Sequence, residues 1–365
     1  MAALWTVNAT ACVPGLKPGP ARQELGWPAY LGSARHDVAA DETLNPDPRP
    51  LWRAAVGRAV RGSPAFGEAV LAVGTADRYV ALVDRASGDV LWRQRIAGTI
   101  HGGPLLDGDR LYVATEQPEG RVYALRLRDG KPIWRTRVGS VVAPLAYDGE
   151  GLFAGTEHGV VVRLDPERGG VTWRRALAGA IRAAPVTTPH GVAVATTADT
   201  LYLLDGATGA VLARLATPGA VLATPATDGG RLYAGTTGGR VLAVELPGLT
   251  VRWQRDVGDA VYGAPALARD TLHVLARDGG LWLIPADRPA EALRHALSIV
   301  ATAGPTPLAS GVLVGSVSGE VLLVDRATGA IRWRAQVTAP IAEPPLVQGR
   351  QLVVVAGRGN IHAYR

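Results

Sequence analysis

The chain has 365 residues, of which 47% are hydrophobic and 19% charged, a balance typical of a globular protein with enough apolar surface for a core. No window approaches the ~18 consecutive apolar residues of a membrane-spanning helix. The formal charge is +6 and comes almost entirely from scattered arginines. Because these form no dense run interleaved with aromatic residues, we expect no nucleic-acid partner.

The first 48 residues precede any repeat and are predicted to form an N-terminal tail and linker. Small residues, Ala9 to Ala11, lie directly before Cys12, the one cysteine of the chain. This arrangement resembles the end of a lipoprotein signal, in which Cys12 would be lipidated. The apolar stretch before it is short and carries no Lys or Arg. An incidental cysteine in a tail is therefore the alternative, and both stay open.

The rest of the chain, residues 49–365, is internally repetitive. Prolines recur at intervals of 39–41 residues, and a second register of mostly tryptophans keeps the same period. The prolines are Pro64, Pro104, Pro144, Pro185, Pro225, Pro265, Pro305 and Pro344. The second register is Trp52, Trp92, Trp134, Trp173, Ala213, Trp253, Arg294 and Trp333. Although this length suggests two or three domains, one period running from end to end predicts a single repeat domain.

Within one period the pattern is that of short antiparallel strands. In the first repeat, short apolar runs at 63–67, 69–74, 79–83 and 90–96 are separated by Gly, Asp and Ser turns. Four such strands in about 40 residues make one propeller blade. The sequence therefore predicts an all-β protein, a single eight-bladed β-propeller of four-stranded antiparallel blades. The Ala-rich stretch 286–297 is predicted to be a loop and a weak strand.

The two ends of the chain predict how the ring closes. The last repeat stops after its third strand, whereas residues 50–56 read as a fourth strand with no blade of their own. We expect this N-terminal strand to complete the last blade, which would leave no open blade at the seam. Small residues precede most of the prolines, as the crowding of eight inner strands requires.

Two stretches carry a recognisable signature: Leu82, Asp84, Ser87, Gly88 and Trp92, and then Leu323, Asp325, Thr328, Gly329 and Trp333. They resemble the tryptophan-docking motif of the PQQ-like repeat family. The resemblance implies the propeller fold and a structural role between blades for the repeated tryptophans. These are Trp52, Trp92, Trp134, Trp173, Trp253 and Trp333.

Two branches of that family fit. The stretch Gly26–Gly32 resembles the opening of many PQQ-binding-like propellers of unassigned role. The BamB family, lipoprotein propellers of the outer-membrane barrel-assembly machinery, also ends on the third strand of its last blade. Resemblance to BamB implies a non-catalytic, monomeric scaffold in the periplasm or on another extracytoplasmic face, without a cofactor. Its partner-contacting Leu-Arg pair would fall on Ile181 and Arg182.

The residue three positions before each repeated proline should lie at the mouth of the central channel. This ring comprises Arg61, His101, Val141, Arg182, Leu222, Tyr262, Thr302 and Ile341. Its mixture of cations, one aromatic ring and aliphatic side chains suits an anionic or mixed peptide. The candidate partner-binding residues are Ile181, Arg182, Arg61, His101 and Tyr262. The alternative is an ordinary solvated rim.

The alternative function is that of a quinoprotein dehydrogenase relative or a ligand-binding propeller. Such dehydrogenases hold a quinone with Ca²⁺, which prefers several carboxylate ligands. Glu343 is the exception among the residues leading into the inner strands, which otherwise lack carboxylates. No histidine pair has zinc-ligand spacing, and neither a G-x-S-x-G motif nor a P-loop is present. We therefore predict no metal, no cofactor and no catalytic residue.

Overall fold

A computed structural model describes residues 30–33, 36, 39–357 and 359–365. These residues form eight separate four-stranded sheets, and each sheet is an antiparallel meander. The innermost strands of successive sheets contact one another, so that the sheets follow each other around a ring. The predicted fold class, an all-β propeller of eight four-stranded blades, is confirmed.

We number the blades in chain order and the strands outward from the channel. Blade 1 contains β2 (Ala65–Phe66), β3 (Val70–Gly74), β4 (Tyr79–Asp84) and β5 (Val90–Arg95). Blade 2 contains β6 (Leu105–Asp107), β7 (Arg110–Ala114), β8 (Arg121–Arg126) and β9 (Pro132–Arg137). Blade 3 contains β10 (Ala146–Tyr147), β11 (Leu152–Gly155), β12 (Val160–Leu164) and β13 (Val171–Ala176). Blade 4 contains β14 (Val186–Thr188), β15 (Gly191–Thr196), β16 (Thr200–Leu204) and β17 (Val211–Ala216).

The second half of the ring repeats this order. Blade 5 contains β18 (Ala226–Thr227), β19 (Arg231–Gly235), β20 (Arg240–Glu245) and β21 (Thr250–Asp256). Blade 6 contains β22 (Ala266–Ala268), β23 (Thr271–Leu275), β24 (Gly280–Pro285) and β25 (Leu293–Ala296). Blade 7 contains β26 (Thr306–Leu308), β27 (Gly311–Gly315), β28 (Glu320–Val324) and β29 (Ile331–Gln336). Blade 8 contains β30 (Leu346–Gln348), β31 (Gln351–Ala356), β32 (Asn360–Tyr364) and β1 (Pro50–Ala55).

Two single-turn 3₁₀ helices, Tyr30–Gly32 and Pro289–Glu291, complete the described elements. The second lies in the stretch predicted as a loop, directly before the short strand β25. No helix in these described ranges is long and apolar enough to cross a membrane.

Burial explains why the strands differ in sequence. The second strands are packed on both faces, and every residue of β3 and β31 is buried or nearly so. The outer strands, such as β13 and β29, alternate between exposed and half-buried residues because one face covers the neighbouring blade and the other meets solvent. The apolar runs and the alternating Arg-rich runs of each repeat follow from these two environments.

Close approach of the blades at the channel explains the small residues there. A Cβ added to Gly102 would lie 2.6 Å from the carbonyl oxygen of Ala143 on the next blade. No side chain larger than hydrogen fits at that separation. The prolines that follow, such as Pro64 and Pro265, directly precede the innermost strands, where a missing N–H is tolerated.

The predicted closure of the ring is confirmed. Strand β1 pairs antiparallel with β32, with Arg53 opposite His362 and Ala55 opposite Asn360. The backbones of Arg49 and Arg365 exchange two hydrogen bonds of 2.9 Å just beyond this pairing. Blade 8 is therefore built from both ends of the chain, which ties the ring shut.

The tryptophans of the outer strands face the next blade. The Trp92 ring lies against Gly130, where an added Cβ would come within 2.7 Å of it, and its Nε1 donates to the carbonyl of Leu127 at 2.8 Å. The same donation, at 2.8–3.0 Å, is made by Trp52, Trp134, Trp173 and Trp253. Trp333 faces blade 8, which has no such turn because the chain ends meet there, and it packs edge-on against Tyr364 at 5.6 Å.

The described residues 30–44, which we call the N-terminal segment, pack inside the ring rather than extending from it. Leu31 and Leu44 are buried in the hydrophobic core. The Nδ1 of buried His36 contacts the carbonyl of Pro265 at 2.7 Å. At the far end, Glu42 accepts a hydrogen bond of 2.9 Å from the amide of Gly349, in a turn after an innermost strand. The division of the chain at residue 49 stays a prediction, but this part of the predicted tail contacts the blades directly.

Candidate functional site: the funnel

A cavity of about 690 Å³ opens at one end of the channel, where the chain enters the innermost strands. We call it the funnel. Its wall carries one residue from the entry to each innermost strand. These residues are Arg61, His101, Val142, Arg182, Leu222, Tyr262, Thr302 and Ala342. The entries to blades 1, 2 and 4 carry Arg61, His101 and Arg182, and the entries to blades 5, 6 and 7 carry Leu222, Tyr262 and Thr302.

Six of the eight predicted rim positions are therefore correct, and two are wrong. Val141 and Ile341 are completely buried, and the wall residues are Val142 and Ala342 instead. The error arises because Pro144 comes one residue early in its repeat, and Pro344 precedes a second proline that holds the equivalent position. Counting back three residues from either one consequently ends one residue too soon.

The two residues of the predicted partner-contacting pair have different environments. Ile181 is completely buried, and its side chain fills the space beside Gly155. The prediction that Ile181 contacts a partner at the surface is therefore wrong, because this position anchors the loop in the core of every blade. The side chain of Arg182 is 53% exposed and pairs with Glu157 at 3.2 Å.

The charge of Arg182 acts on the His101 imidazole, which also has its own carboxylate partner. Its Nε2 lies 3.3 Å from a carboxylate oxygen of Glu116. Burial lowers the pKa of His101 below its ordinary value; the nearby Glu116 opposes this shift, while Arg61 adds to it. At neutral pH the imidazole is therefore uncharged, and the fixed positive charges of this wall are Arg61 and Arg182.

Arg61 and Tyr262 complete the predicted candidates. Arg61 is exposed, and no described carboxylate lies within ion-pairing distance of it. Tyr262 is half-buried across the funnel, beside Leu222. Among the described residues, Arg61 thus has no ion-pair partner, and its guanidinium and the ring of Tyr262 are both presented to anything that enters the funnel.

Tyr30, which sequence reasoning did not place in the site, also lines the funnel. Its hydroxyl donates a hydrogen bond of 2.8 Å to Glu343. Burial raises the pKa of Glu343 to about 8 and that of Tyr30 well above its usual range. Glu343 stands out in the sequence as the one carboxylate at these positions, but nothing there identifies its partner, because Tyr30 lies 313 residues away.

Glu343 lines the funnel and Glu116 and Glu157 contact residues that line it, and all three carboxylates already have protein partners. Glu116 lies beside His101, Glu157 accepts from Arg182 and from the Ser140 hydroxyl, and Glu343 accepts from Tyr30. Across the described residues, no group of three or more His, Cys, Asp or Glu side chains is arranged to hold a metal ion. Cys12 lies outside the described residues.

Comparison with known proteins agrees with this architecture. The family model described as "Outer membrane protein assembly factor BamB" matches residues 38–119, 118–219, 201–288 and 290–365. The chain belongs to this family. The match runs through all eight blades and includes part of the N-terminal segment.

Individual BamB relatives are distant. The chain is similar to BamB of Shewanella oneidensis, with 28% identity over 42% of this chain and 41% of that protein. It is also similar to BamB of Burkholderia pseudomallei, with 26% identity over 66% of this chain and 67% of that protein. The first match thus spans less than half of the relative's length.

Solved structures show the same fold at low identity. BamB from Moraxella catarrhalis has a TM-score of 0.74 and 16% identity, covering 87% of this chain and 99% of that one. Quinohemoprotein alcohol dehydrogenase from Comamonas testosteroni has a TM-score of 0.71 and 13% identity, covering 94% and 81%. Because a propeller serves both a BamB protein and a dehydrogenase, the fold alone does not decide the function.

Proposed function

We propose that this chain is a non-catalytic protein-interaction scaffold of the bacterial envelope, acting as BamB proteins are named to act, in outer-membrane protein assembly. The observation that carries the proposal is the BamB family match along residues 38–365, which covers all eight blades. Its place of action would be the periplasm or another extracytoplasmic face, with Cys12 as a candidate anchor. Its partner would be a component of the assembly machinery, bound by a monomer.

The funnel supports a binding role better than a catalytic one. Two of its titratable side chains already have carboxylate partners, since His101 lies beside Glu116 and Arg182 pairs with Glu157. A general base or a nucleophile needs a free, positioned group beside the substrate. The exposed face of Arg182, by contrast, is available to a partner's carboxylate, and arginine is favoured in binding hot spots.

We expect Arg182→Glu to abolish capture of the assembly machinery while the ring stays folded. A hot-spot arginine contributes about 2 kcal/mol or more to binding, and reversal of its charge would repel a carboxylate. The fold should tolerate the change because Arg182 is more than half exposed. The measurement is crosslinking and co-purification of tagged full-length chain from cells of its source, with detection of named assembly components.

Arg61→Glu is the matched control, since Arg61 occupies the same repeat position on another blade and has no described ion-pair partner. Equal capture by both variants and the wild type would contradict a role for Arg182. Loss of partner capture with Arg61→Glu alone would indicate that the partner contacts Arg61 and not Arg182. It would remove the residue-level support for a BamB-like role.

A further inference from the structure

The charge of the outer surface differs between the two halves of the ring. The outer strands of blades 1–4, which are β5, β9, β13 and β17, contain seven arginines and no Asp or Glu. Across the described parts of the chain, no carboxylate lies within 4.0 Å of the six arginines that are exposed. We call these six the basic face: Arg93, Arg95, Arg135, Arg137, Arg174 and Arg214.

On blades 5–7 the outer strands also carry exposed arginines, but each of these pairs with a carboxylate of its own blade. Three of the pairs have distances of 2.8–3.2 Å, and Arg332 pairs likewise with Asp325. The three are Arg252 with Glu245, Arg294 with Asp278, and Arg334 with Glu320. The repeat places arginines equivalently on both sides, so the difference lies in their partners. Charge is compensated within the blade on one side only, as far as the described residues go.

The outward row of β9 combines arginine with an aliphatic side chain. Residues two apart on a strand share a face, so Ile133, Arg135 and Arg137 point away from the ring while Trp134 docks on blade 3. Ile133 is 44% exposed, and Leu212 of β17, at 53%, continues the aliphatic row. Each outer strand runs toward the funnel entry of the next blade. The aliphatic groups therefore lie farther from the funnel than the arginines.

Blades 2 and 3 form the middle of the basic face. Arg174 of β13 donates hydrogen bonds of 2.9 and 3.2 Å to the backbone carbonyls of Arg137 and Val138, which brings its guanidinium onto blade 2. Carbonyls satisfy its donors without neutralising its charge. Successive blades turn by one eighth of a circle, so a flat partner meets only a few neighbouring blades at once. Its contact would centre on Arg135, Arg137 and Arg174.

The flanks of the basic face contribute less. On blade 1, Arg93 lies over the Tyr79 ring at 4.2 Å, and its charge also lowers the pKa of Asp77. That guanidinium is thus partly engaged inside its own blade. The three central arginines have no such carboxylate among the described residues, and they carry the argument.

We propose that the basic face docks on a membrane rich in anionic phospholipid, with the ring edge-on to the bilayer. Guanidiniums bind phosphate as forked donors, while Ile133 and Leu212 would enter the boundary between headgroups and acyl chains. A protein hot spot favours aromatic anchors, and single-stranded nucleic acid needs rings for stacking. The outward positions of β9, β13 and β17 supply neither kind of ring. This docking goes beyond the proposed assembly role, and it leaves the funnel open to a partner.

Binding of the purified full-length chain to vesicles tests the proposal, in a Cys12→Ser background so that no lipid anchor contributes. Vesicles of mixed phosphatidylglycerol and phosphatidylcholine should bind the chain, and pure phosphatidylcholine should not. Raising the salt concentration should weaken binding because the charges are screened. Combined Arg135→Gln, Arg137→Gln and Arg174→Gln should lower the partition coefficient about a hundredfold, at about fivefold for each arginine near an anionic surface.

The matched control is the same triple change on the opposite side of the ring: Arg252→Gln, Arg294→Gln and Arg334→Gln. It removes equal charge and should bind vesicles like the Cys12→Ser parent. If Arg174→Gln loosens the contact with blade 2, seen as a lower melting temperature, the other two changes alone should still weaken binding about 25-fold. Absence of vesicle binding by the parent, equal binding to neutral vesicles, or equal loss in the control would each overturn the proposal. Unchanged vesicle binding by the basic-face variant, with loss of a protein partner, would make the face a protein contact instead.

A fluorescent label tests which edge of the ring meets the lipid. In the same background, Ile133→Cys and Ile331→Cys accept an environment-sensitive dye at equivalent positions, since the two isoleucines are 44% and 42% exposed at the starts of their outer strands. On phosphatidylglycerol vesicles the emission should shift to the blue for Ile133→Cys only. An equal shift at both positions, or a shift at Ile331→Cys alone, would overturn the edge-on placement.

Discussion

At the scale of single residues, five of the eight blades contact the next blade through an aromatic ring that lies on a glycine. The glycine has no Cβ, so the indole face of Trp92 reaches the backbone at Gly130, while its N–H satisfies the carbonyl of Leu127. Burial of a large aromatic surface combined with one hydrogen bond makes this contact a strong candidate for stabilising the ring. A docking role for the tryptophans remains a prediction about free energy, and substitution tests it.

We expect Trp92→Ala to lower the free energy of unfolding by about 3–5 kcal/mol, since it removes the ring from between two blades and leaves a cavity. The measurement is the denaturant midpoint of the full-length chain. Leu212→Ala is the control, because Leu212 is 53% exposed on an outer strand and such changes stay within about 0.5 kcal/mol. Equal midpoints for the two variants would show that the tryptophan does not hold the blades together.

Two of the eight docking positions, Ala213 and Arg294, lack a tryptophan, and in both places another side chain makes the contact between the blades. At Ala213 the space is taken from the other blade by Leu249, which is buried and has a φ of 50°. In blade 6 the sequence register places Arg294 at the docking position, but His295 makes the contact. Its Nε2 lies 2.9 Å from the carbonyl of Arg326, and its ring covers Gly329. Repeat spacing comes within one residue of the docking position in blade 6, and only three-dimensional packing identifies the substitute.

At the scale of elements, the ring is closed inside blade 8, where β1 and β32 pair although no turn joins them. In this pairing, Ala55 of β1 lies opposite Asn360 of β32. Arg85 of blade 1 also donates a hydrogen bond of 3.0 Å to the carbonyl of Gln348 in blade 8. Backbone pairing of β1 with β32 thus replaces the turn that joins the third and fourth strands of the other blades, and the half-buried Arg85 guanidinium links blade 8 to blade 1.

A cysteine pair across this seam tests its geometry. In a Cys12→Ser background, Ala55→Cys with Asn360→Cys should form a disulfide on oxidation, because the Cα atoms of cross-strand partners are about 4.5–5.5 Å apart. The bond would stabilise the ring by about 2–4 kcal/mol, seen as a higher melting temperature that is lost on reduction. Ala55→Cys with Ala363→Cys is the control, since Ala363 faces Trp52 instead. Efficient crosslinking of the control but not of the matched pair would contradict the register.

At the scale of the whole molecule, the repeat period made the ring predictable. Two residue types in phase over eight periods determine the blade count, and an unpaired strand at one end with a missing strand at the other determines the closure. The site was predictable only in part. Arg61, His101, Arg182 and Tyr262 lie on the funnel as expected, because their offsets from the prolines match in those repeats. Ile181 was misplaced because a repeat pattern does not distinguish a wall position from the buried position beside it.

The N-terminal segment shows the limit of such reasoning. It lies outside the repeat, so periodicity says nothing about it, and its contacts, such as Tyr30 with Glu343 and His36 with Pro265, join residues more than 200 positions apart. In the sequence, residues 26–32 show only a resemblance to other propellers. A single sequence contains no pattern that reveals the long-range contacts of an unrepeated segment. These contacts place Tyr30 in the lining of the funnel.

The last prediction concerns cofactors, since the same ring shape is found in a quinohemoprotein dehydrogenase. Calcium in proteins takes six to eight oxygen ligands, and the carboxylates in or beside the funnel, Glu116, Glu157 and Glu343, are each engaged by another side chain. Recruiting them would break four existing contacts, because Glu157 has two partners. We therefore expect PQQ with Ca²⁺ to leave the melting temperature unchanged, whereas a ligand present at 100 times its Kd would stabilise the fold by about 2.7 kcal/mol. Dye-linked alcohol oxidation should likewise stay at the level of a boiled control. A rise in melting temperature together with turnover would show that these carboxylates can rearrange into a cofactor site. The chain would then be an enzyme, like the dehydrogenase that shares its fold.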